Sequence, residues 1–102
     1  MSENKLSYKK MPIEELVVLS QQEDFKALEE LIRKIQSDVY ATLSYLIKNP
    51  EHIPDLTQDI LLKVARNIQN LKNPKCFKGW LNHIITNTYY DFVRKHKRTP
   101  ET

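Results

Sequence analysis

The sequence predicts an all-α domain of four helices, and three observations lead to this prediction. Apolar residues recur at three- and four-residue steps through most of the chain, which is the spacing of helices that bury one face. Only one glycine, Gly79, occurs in 102 residues, whereas β-sheet proteins need glycine at many tight turns. A chain of this length forms one domain around one modest hydrophobic core.

The first two helices are predicted from their end signals and their apolar stripes. Pro12 suits the first turn of a short helix that runs to about Gln21. Asp24 is a residue type that commonly caps a helix, so a second helix begins after it. The apolar stripe of this long second helix contains Phe25, Leu28, Ile32, Ile35, Val39, Leu43 and Leu46. Pro50 restricts the backbone before it, so the helix should end near Lys48.

The third and fourth helices are predicted on either side of a short loop. Asp55 and Gln58 have the spacing of a capping box, so the third helix begins near Pro54 or Asp55. Its buried edge contains Leu56, Ile60, Leu61, Val64, Ala65, Ile68 and Leu71. A loop from Asn70 to Lys75 follows, and the last helix runs from about Cys76 to about Lys97. The buried side of the last helix contains Phe77, Leu81, Ile84, Ile85, Thr88 and Phe92.

Composition and chain ends indicate where the protein works. The single cysteine, Cys76, cannot form an internal disulfide, which favours a reducing compartment. No run approaches the ~20 apolar residues that cross a bilayer, and the N-terminus lacks an apolar signal core. We therefore expect a cytoplasmic protein that makes no membrane contact. We expect residues 1–10 to be a disordered leader, residues 11–98 to form the helical domain, and residues 99–102 to begin a linker or tail.

No catalytic or metal-binding pattern occurs in the sequence. The three histidines, His52, His83 and His96, lie apart, and no Cys/His cluster has the spacing of metal ligands. Because Gly79 stands alone, there is no glycine-rich phosphate loop. Cys76 has lysines nearby but no recognisable partner base. We therefore expect no enzymatic activity, no cofactor and no metal.

Positive charge is concentrated in the C-terminal part of the chain. Residues 1–54 carry seven Lys/Arg against nine Asp/Glu, whereas residues 72–98 carry seven Lys/Arg against Asp91 alone. This asymmetry favours an anionic partner for the loop and the last helix, although lysines also solvate ordinary surfaces. The candidate phosphate contacts are Lys72, Lys75, Lys78, Arg94, Lys95, Lys97 and Arg98.

Amide and aromatic side chains among these cations suit the reading of bases. The amides, which have the directional donors and acceptors that base reading requires, are Asn73, Asn82 and Asn87. Tyr90 is expected to be exposed, where it can stack on an unpaired base, while Tyr89 is expected at the edge of the core. Trp80 is a core residue rather than a stacking platform in our interpretation. Asp91 is expected to form an intrahelical ion pair with Arg94 or Lys95.

The outward edge of the third helix is a second candidate surface. Its residues are Gln58, Asp59, Leu62, Lys63 and Arg66. An exposed leucine among polar groups can anchor a partner helix, and the flanking charges then set its register. An ordinary solvated face with one isolated leucine explains the pattern equally well.

Three segments of the chain carry a family resemblance. They are Asp55-Leu56-Thr57-Gln58-Asp59, then Phe77-Lys78-Gly79-Trp80-Leu81, then Asn87, Asp91 and Arg94. In this order and spacing they resemble region 2 of a bacterial sigma factor of the extracytoplasmic-function branch of the sigma-70 family. Weaker agreement through Asp24, Phe25 and Leu28 extends the resemblance to about residues 13–98. Asp59 stands where glutamate is usual, and Leu61 stands where phenylalanine is usual.

The resemblance implies a separate task for each candidate surface. The positions that dock on the clamp helices of the largest subunit of core RNA polymerase correspond to Asp55, Gln58, Asp59, Leu62 and Arg66. The loop from Leu71 to Lys75 falls where these factors capture a base flipped out of the non-template strand at the minus-ten promoter element. Asn87 matches a polar position beside that pocket, and the basic helix follows the DNA backbone. The residues assigned to DNA in this way are Leu71, Lys72, Asn73, Lys75, Lys78, Asn87, Tyr90, Arg94, Lys95, Lys97 and Arg98.

The resemblance also implies a further protein partner and a weaker affinity for the module alone. An anti-sigma factor is an expected partner that covers the polymerase-facing surface. Such factors carry a second helical domain with a helix-turn-helix, and these 102 residues show no segment that resembles it. The sequence is either an excised fragment or a protein of one module, and we expect the module alone to bind more weakly than a tethered pair. Two alternatives stay open. One is a helical interaction module that binds a partner coiled coil without DNA, and the other is a nonspecific nucleic-acid binder.

Overall fold

The computed structural model describes residues 7–98, and the side chains of residues 7–96. Four α-helices follow one another: α1 (Ile13–Gln21), α2 (Phe25–Leu46), α3 (Ile53–Asn67) and α4 (Phe77–Arg98). Four single 3₁₀ turns occupy Tyr8–Lys10, Pro50–His52, Ile68–Asn70 and Pro74–Cys76. No strand occurs within residues 7–98, so the predicted all-α, four-helix fold is confirmed. No helix in this range is both long enough and apolar enough to span a membrane.

The N-terminal end of the described chain is bonded to α2. The Tyr8 hydroxyl donates to Asp24 Oδ2 at 3.0 Å, and Lys34 Nζ donates to the carbonyl of Lys9 at 2.8 Å. The expected disordered leader therefore does not extend to residue 10, because the 3₁₀ turn at residues 8–10 has partners on a neighbouring helix. The rest of that leader, residues 1–6, and the expected tail at residues 99–102 lie outside the described residues.

The turn between α1 and α2 is tight and strongly hydrogen-bonded. Glu23 adopts the left-handed conformation with φ of 67°, which is how many helices end. The amide of Asp24 then donates back to the carbonyl of Leu19 at 3.0 Å. Asp24 Oδ1 accepts from the amides of Lys26 and Ala27, both at 3.1 Å. The prediction that Asp24 caps the second helix is therefore confirmed.

The core is one cluster to which all four helices contribute. Its members with almost no exposed surface include Leu16, Val17, Leu31, Ile35, Val39, Leu43, Ile60, Val64, Ile68 and Ile85. α2 lies at the centre, since it packs along both α1 and α3, and α4 packs mainly on α3. Each fully buried aliphatic side chain of this kind stabilises the fold by roughly 1.5–3 kcal/mol relative to exposure. The relative positions of the exposed faces of α3 and α4 are thus fixed by a shared interior.

The buried row of α2 differs from the predicted stripe at its ends. The row advances by four residues at a time and comprises Ala27, Leu31, Ile35, Val39, Leu43 and the following Ile47. Phe25 is 73% exposed, because it lies two residues, or about 200°, away from Ala27 around the helix. Leu46, the last residue of α2, is 37% exposed. The inclusion of Phe25 and Leu46 in the buried stripe was therefore wrong.

α3 begins earlier than predicted and is not capped by Asp55. The helix starts at Ile53, so Asp55 lies inside its first turn and makes no capping hydrogen bond. The N-cap residue of α3, His52, makes no side-chain cap hydrogen bond. The side-chain cap upstream belongs to the preceding 3₁₀ turn, where Asn49 Oδ1 accepts from the amide of Glu51 at 3.2 Å. Because Pro50 supports a 3₁₀ turn that runs directly into α3, the N-terminus moves away from Asp55. The predicted capping box of Asp55 and Gln58 was therefore wrong.

Candidate protein and nucleic-acid interfaces

The predicted polymerase-binding residues share one exposed stripe of α3. The stripe comprises Asp55, Gln58, Asp59, Leu62 and Arg66, all of which are exposed. Asp55, Asp59, Leu62 and Arg66 follow one another at steps of four, three and four residues, which places side chains above one another on one side of a helix, and Gln58 lies beside Asp59. On the opposite side Ile60 and Val64 are fully buried, so core packing fixes the direction in which the stripe faces. Leu62, at 50% exposure, is the apolar centre of this α3 stripe.

Lys63 joins the edge of the α3 stripe to α4. Its Nζ lies 3.6 Å from Asp59 Oδ2 and donates to Thr88 Oγ1 at 2.9 Å. The Asp59 carboxylate is half exposed, so solvent screens this ion pair and leaves Asp59 accessible to a partner. Thr88 is buried, so its bond to Lys63 is the firmer of the two contacts. Sequence analysis placed Thr88 in the core but did not identify it as the partner of Lys63.

A groove of about 420 Å³ lies between the first half of α3 and the second half of α4. Charged side chains dominate its lining: Asp55, Asp59, Lys63, Asp91 and Lys95. Three rings close one end, with the centroid of His52 5.0 Å from that of Phe92 and 4.9 Å from that of His96. His96 Nδ1 is 3.0 Å from the carbonyl of Phe92. This charged groove therefore connects the α3 stripe with the basic end of α4.

A second groove, of about 300 Å³, lies between the end of α3 and the middle of α4. Lys63 and Thr88 line both grooves and so form the wall between them. The remaining lining of this amide groove is Asn67, Asn70, Trp80, Ile84 and Asn87. The amides are partly ordered among themselves, since Asn70 Nδ2 donates to Asn67 Oδ1 at 3.3 Å.

The composition of the amide groove suits a flat, polar ligand. Amides offer both donors and acceptors to a base edge, and the partly buried Trp80 contributes an apolar wall. Sequence analysis singled out Asn87 and the loop but did not identify Asn67 and Asn70. Their three-residue spacing at the end of α3 was the available signal.

The connector between α3 and α4 consists of Leu71, Lys72 and Asn73 between two 3₁₀ turns. Lys72 and Asn73 are exposed, as predicted, and Asn73 Oδ1 accepts from the amide of Lys75 at 3.0 Å. Leu71 is only 7% exposed and belongs to the core. Its side chain does not reach the surface, so the assignment of Leu71 as a DNA contact was wrong. The physical reason is that Leu71 anchors the connector from inside.

The described cations of the candidate nucleic-acid surface fall into two groups along α4. Lys72, Lys75 and Lys78 are exposed near its start. Arg94 and Lys95 are exposed near its end, and Lys78 and Arg94 are separated by about 24 Å at the helical rise of 1.5 Å per residue. The side chains of Lys97 and Arg98 lie outside the described side chains.

Apart from Asp91, the surface of α4 between these two groups carries uncharged or histidine side chains. Asn87 is exposed, and Tyr90 is 54% exposed. Tyr89 and Trp80 are partly buried against the core, in agreement with their predicted places. Arg94 forms the predicted ion pair with Asp91. The surface is thus two basic ends joined by a polar, aromatic middle.

Metal chemistry has no arranged ligand set in the described part of the chain. No group of three His, Cys, Asp or Glu side chains there is placed to hold a metal ion. Cys76 is exposed and carries a free thiol. What residues 7–96 offer chemically is therefore charge, amides and aromatic faces.

Comparison with curated proteins gives relatives of one kind. The chain is 39% identical over 70 residues to the ECF RNA polymerase sigma factor SigE of Mycolicibacterium smegmatis, a match that covers 69% of this chain and 27% of the relative. It is 31% identical over 85 residues to the ECF RNA polymerase sigma-E factor of Haemophilus influenzae, with 83% and 44% covered. It is 29% identical over 63 residues to the RNA polymerase sigma factor SigV of Bacillus subtilis, with 62% and 38% covered. The chain thus spans less than half the length of these relatives.

Structural comparison and a family match agree with these relatives. A solved NMR structure of an engineered region 2 of sigmaE, in complex with GTAAAA, matches with a TM-score of 0.77 and 25% identity over 100% of both chains. The family described as sigma-70 region 2 matches residues 31–99, which include most of α2 and all of α3 and α4. The two candidate surfaces lie within that match. The chain therefore belongs to the sigma-70 region 2 family, and its relatives include extracytoplasmic-function sigma factors.

Proposed function

We propose that this domain is a transcription-initiation module that binds core RNA polymerase and recognises and helps to melt the minus-ten promoter element. The observation that carries the proposal is the pair of exposed surfaces, the α3 stripe and the polar and basic face of α4, on one rigid core. Membership of the sigma-70 region 2 family supports it. So does the similar engineered region 2 of sigmaE, which was solved in complex with GTAAAA.

The α3 stripe is the surface that binds the polymerase in this proposal. Leu62 supplies apolar contact, and the charges of Asp55, Asp59 and Arg66 set the register of the partner. Its partner is the pair of clamp helices of the largest polymerase subunit, as in the family resemblance. An anti-sigma factor would compete for the same stripe, so binding of the two would be mutually exclusive.

The connector and α4 are the surfaces that bind promoter DNA. The two basic ends of α4 neutralise phosphates, which contributes affinity without sequence information. Asn87 in the amide groove reads a base edge, and the exposed Tyr90 stacks on an unpaired base. Flipping a base out of a duplex costs a few kcal/mol. Contacts that only the open non-template strand can make offset this cost, so the domain favours the melted promoter.

Melting by this route is differential binding and breaks no covalent bond. The module therefore needs no catalytic residue, cofactor or metal, and we propose that it is not an enzyme. We also propose a cytoplasmic location, because the promoter and the polymerase are the partners of the domain.

The test is the binding of labelled oligonucleotides measured by fluorescence anisotropy. The probes are a single strand that contains GTAAAA, the same strand with single-base changes, and the corresponding duplex. We expect the open strand to bind more tightly than the duplex, with a preference among sequences. Affinity should fall steeply with salt, with a logarithmic slope of about 0.7 for each phosphate contacted.

Replacing Asn87 separates base reading from phosphate contact. Asn87→Ala should reduce the preference among sequences and leave the salt slope unchanged, because it removes a base-reading amide and no charge. Thr86→Ala is the matched control, since Thr86 is an exposed, uncharged neighbour of Asn87 on the same helix that does not line the amide groove. Equal binding of duplex and single strand, without sequence preference, would refute the proposed base recognition.

A further inference from the structure

Gln21, on α1, is bonded to the connector of the proposed DNA-binding surface. Its Nε2 lies 2.9 Å from the carbonyl oxygen of Ile68 and 2.7 Å from that of Leu71. A side-chain amide nitrogen carries two N–H donors, so both bonds form at once. These carbonyls flank the 3₁₀ turn Ile68–Asn70 that follows α3. The Ile68 carbonyl also accepts from the amide of Leu71 at 3.2 Å, which closes this turn, so Gln21 adds a second bond there.

A reverse contact supports the same attachment. Gln69 Nε2 lies 3.4 Å from the carbonyl oxygen of Ser20, the residue before Gln21. Ser20 is itself fixed, because its buried hydroxyl donates to the carbonyl of Leu16 at 2.7 Å. The end of α1 and the end of the α3 segment are therefore linked in both directions.

The position of Gln21 is set by α1 and not by the connector. It is the last residue of α1, and the left-handed Glu23 ends that helix two residues later. Ile68 and Leu71 are meanwhile held in the core by their side chains. α1 lies outside residues 31–99, the part of the chain that matches the family.

We propose that Gln21 is a positioning residue that sets the selectivity of this domain for the bases of single-stranded DNA. By holding the carbonyls of Ile68 and Leu71, Gln21 fixes the path of the connector before DNA arrives. The exposed Lys72 and Asn73, which follow directly, are then presented in one arrangement. A site that is ordered in advance avoids the entropy cost of ordering on binding and rejects ligands that do not fit. This inference rests on the proposed recognition of promoter DNA.

The test removes the two donors while keeping the shape of the side chain. Gln21→Met has a similar length and no N–H group, so both carbonyls lose the hydrogen bond from residue 21. Gln22→Met is the matched control, because Gln22 is the exposed neighbour in the same turn. The readouts are hydrogen exchange of the amides of Leu71 and Lys72, discrimination between the GTAAAA strand and its single-base variants, and the salt slope.

We expect Gln21→Met to accelerate exchange in the connector and to reduce base discrimination by about tenfold, the factor that 1.4 kcal/mol produces. The salt slope and co-purification with core polymerase should stay at the wild-type level, since phosphate contacts and the α3 stripe are intact. A purely structural role would instead lower thermal stability and weaken both binding activities without changing discrimination.

Two results would overturn the inference about Gln21 without affecting the proposed function. One is connector exchange at the wild-type rate in Gln21→Met, and the other is wild-type discrimination in a folded Gln21→Met protein. If Gln21→Met does not fold, Gln21→Leu also lacks the donors, adds no charge and is read in the same way. A wild-type protein that fails to discriminate between the strands would instead refute the proposed function, and the inference would fall with it.

Discussion

Asp24 uses its two carboxylate oxygens for two different parts of the structure. Oδ1 accepts from the amides of Lys26 and Ala27 and so caps α2. Oδ2 accepts from the hydroxyl of Tyr8 and so holds the N-terminal 3₁₀ turn. Loss of such a cap costs about 1 kcal/mol. One side chain therefore orders both the start of the central helix and the segment that precedes α1.

Tyr8→Phe tests the second of these bonds through its dependence on pH. The hydrogen bond to Asp24 raises the pKa of Tyr8 above its usual 10.0, so the folded state holds the phenol proton more firmly than the unfolded state. The stabilisation is therefore complete below pH 10 and is lost as the pH rises through the raised value. We expect wild type to have a higher urea midpoint than Tyr8→Phe at pH 8, and this advantage to shrink above pH 10. A constant difference across that range would contradict the assignment.

At the scale of elements, the fold depends on how each helix ends. α1 ends at a left-handed residue, α3 tightens into a 3₁₀ turn, and α4 follows another 3₁₀ turn that Asn73 caps. These short endings leave a connector of only three residues between α3 and α4. The orientation of α4 is thus determined by the geometry of the turns more than by any long loop.

Glu23→Gly should stabilise the domain. A residue with a Cβ in the left-handed region costs roughly 1–2 kcal/mol, and glycine avoids this strain but loses more entropy on folding. We expect a net gain of about 0.5–1 kcal/mol in the free energy of unfolding, measured by urea denaturation. Gln22→Gly is the control, because Gln22 has φ of −93° and glycine there should destabilise. Equal destabilisation by both changes would show that the left-handed turn carries no strain.

The positions of the helices could be predicted from the sequence, because the signals that start and end a helix are local. The apolar stripes, Asp24 and Pro12 each act within a few residues, and α1 and α2 lie where these signals indicated. The capping box at Asp55 failed because Pro50 started a turn upstream that no helical period reveals. The first residue of α3 depends on how the 3₁₀ turn Pro50–His52 joins the helix.

The misses at the candidate site have tertiary causes. Apolar spacing already placed Leu71 on the buried edge of the third helix, and its burial agrees with that. What the sequence does not show is the hydrogen bond from Gln21 to the Leu71 carbonyl, which joins positions fifty residues apart. Lys63 likewise finds Thr88 on another helix. No local sequence pattern predicts the hydrogen bond between Gln21 and Leu71 or the one between Lys63 and Thr88. Exposed residues such as Asp59 and Lys78 were predictable, because amphipathic spacing alone decides which side of a helix faces water.

At the scale of the whole molecule, one core holds the two surfaces for which we propose different partners. The α3 stripe and the face of α4 meet at Lys63 and Thr88, which form the wall between the two grooves. Because the core spans all four helices, a change on one surface should leave the backbone of the other intact. The two activities should therefore be separable by exposed substitutions.

Asp59→Lys and the triple change of Lys72, Lys75 and Lys78 to alanine test this separation. Reversal of the Asp59 charge should abolish co-purification with core polymerase, while the oligonucleotide affinity falls by no more than a few fold. The triple change should weaken oligonucleotide binding and reduce the salt slope by about 2, for three lost phosphate contacts. An interaction module that does not bind DNA predicts no effect of the triple change on any binding activity. A nonspecific nucleic-acid binder predicts no effect of Asp59→Lys on co-purification.

The exposed thiol of Cys76 gives the molecule a built-in attachment point for a reporter. It is the only cysteine in the chain and lies immediately before α4, next to Lys75 and Phe77. A maleimide dye would therefore label one known place without any prior mutagenesis. Its emission would follow strand capture in real time, and oxidative crosslinking between two chains would have a single possible product.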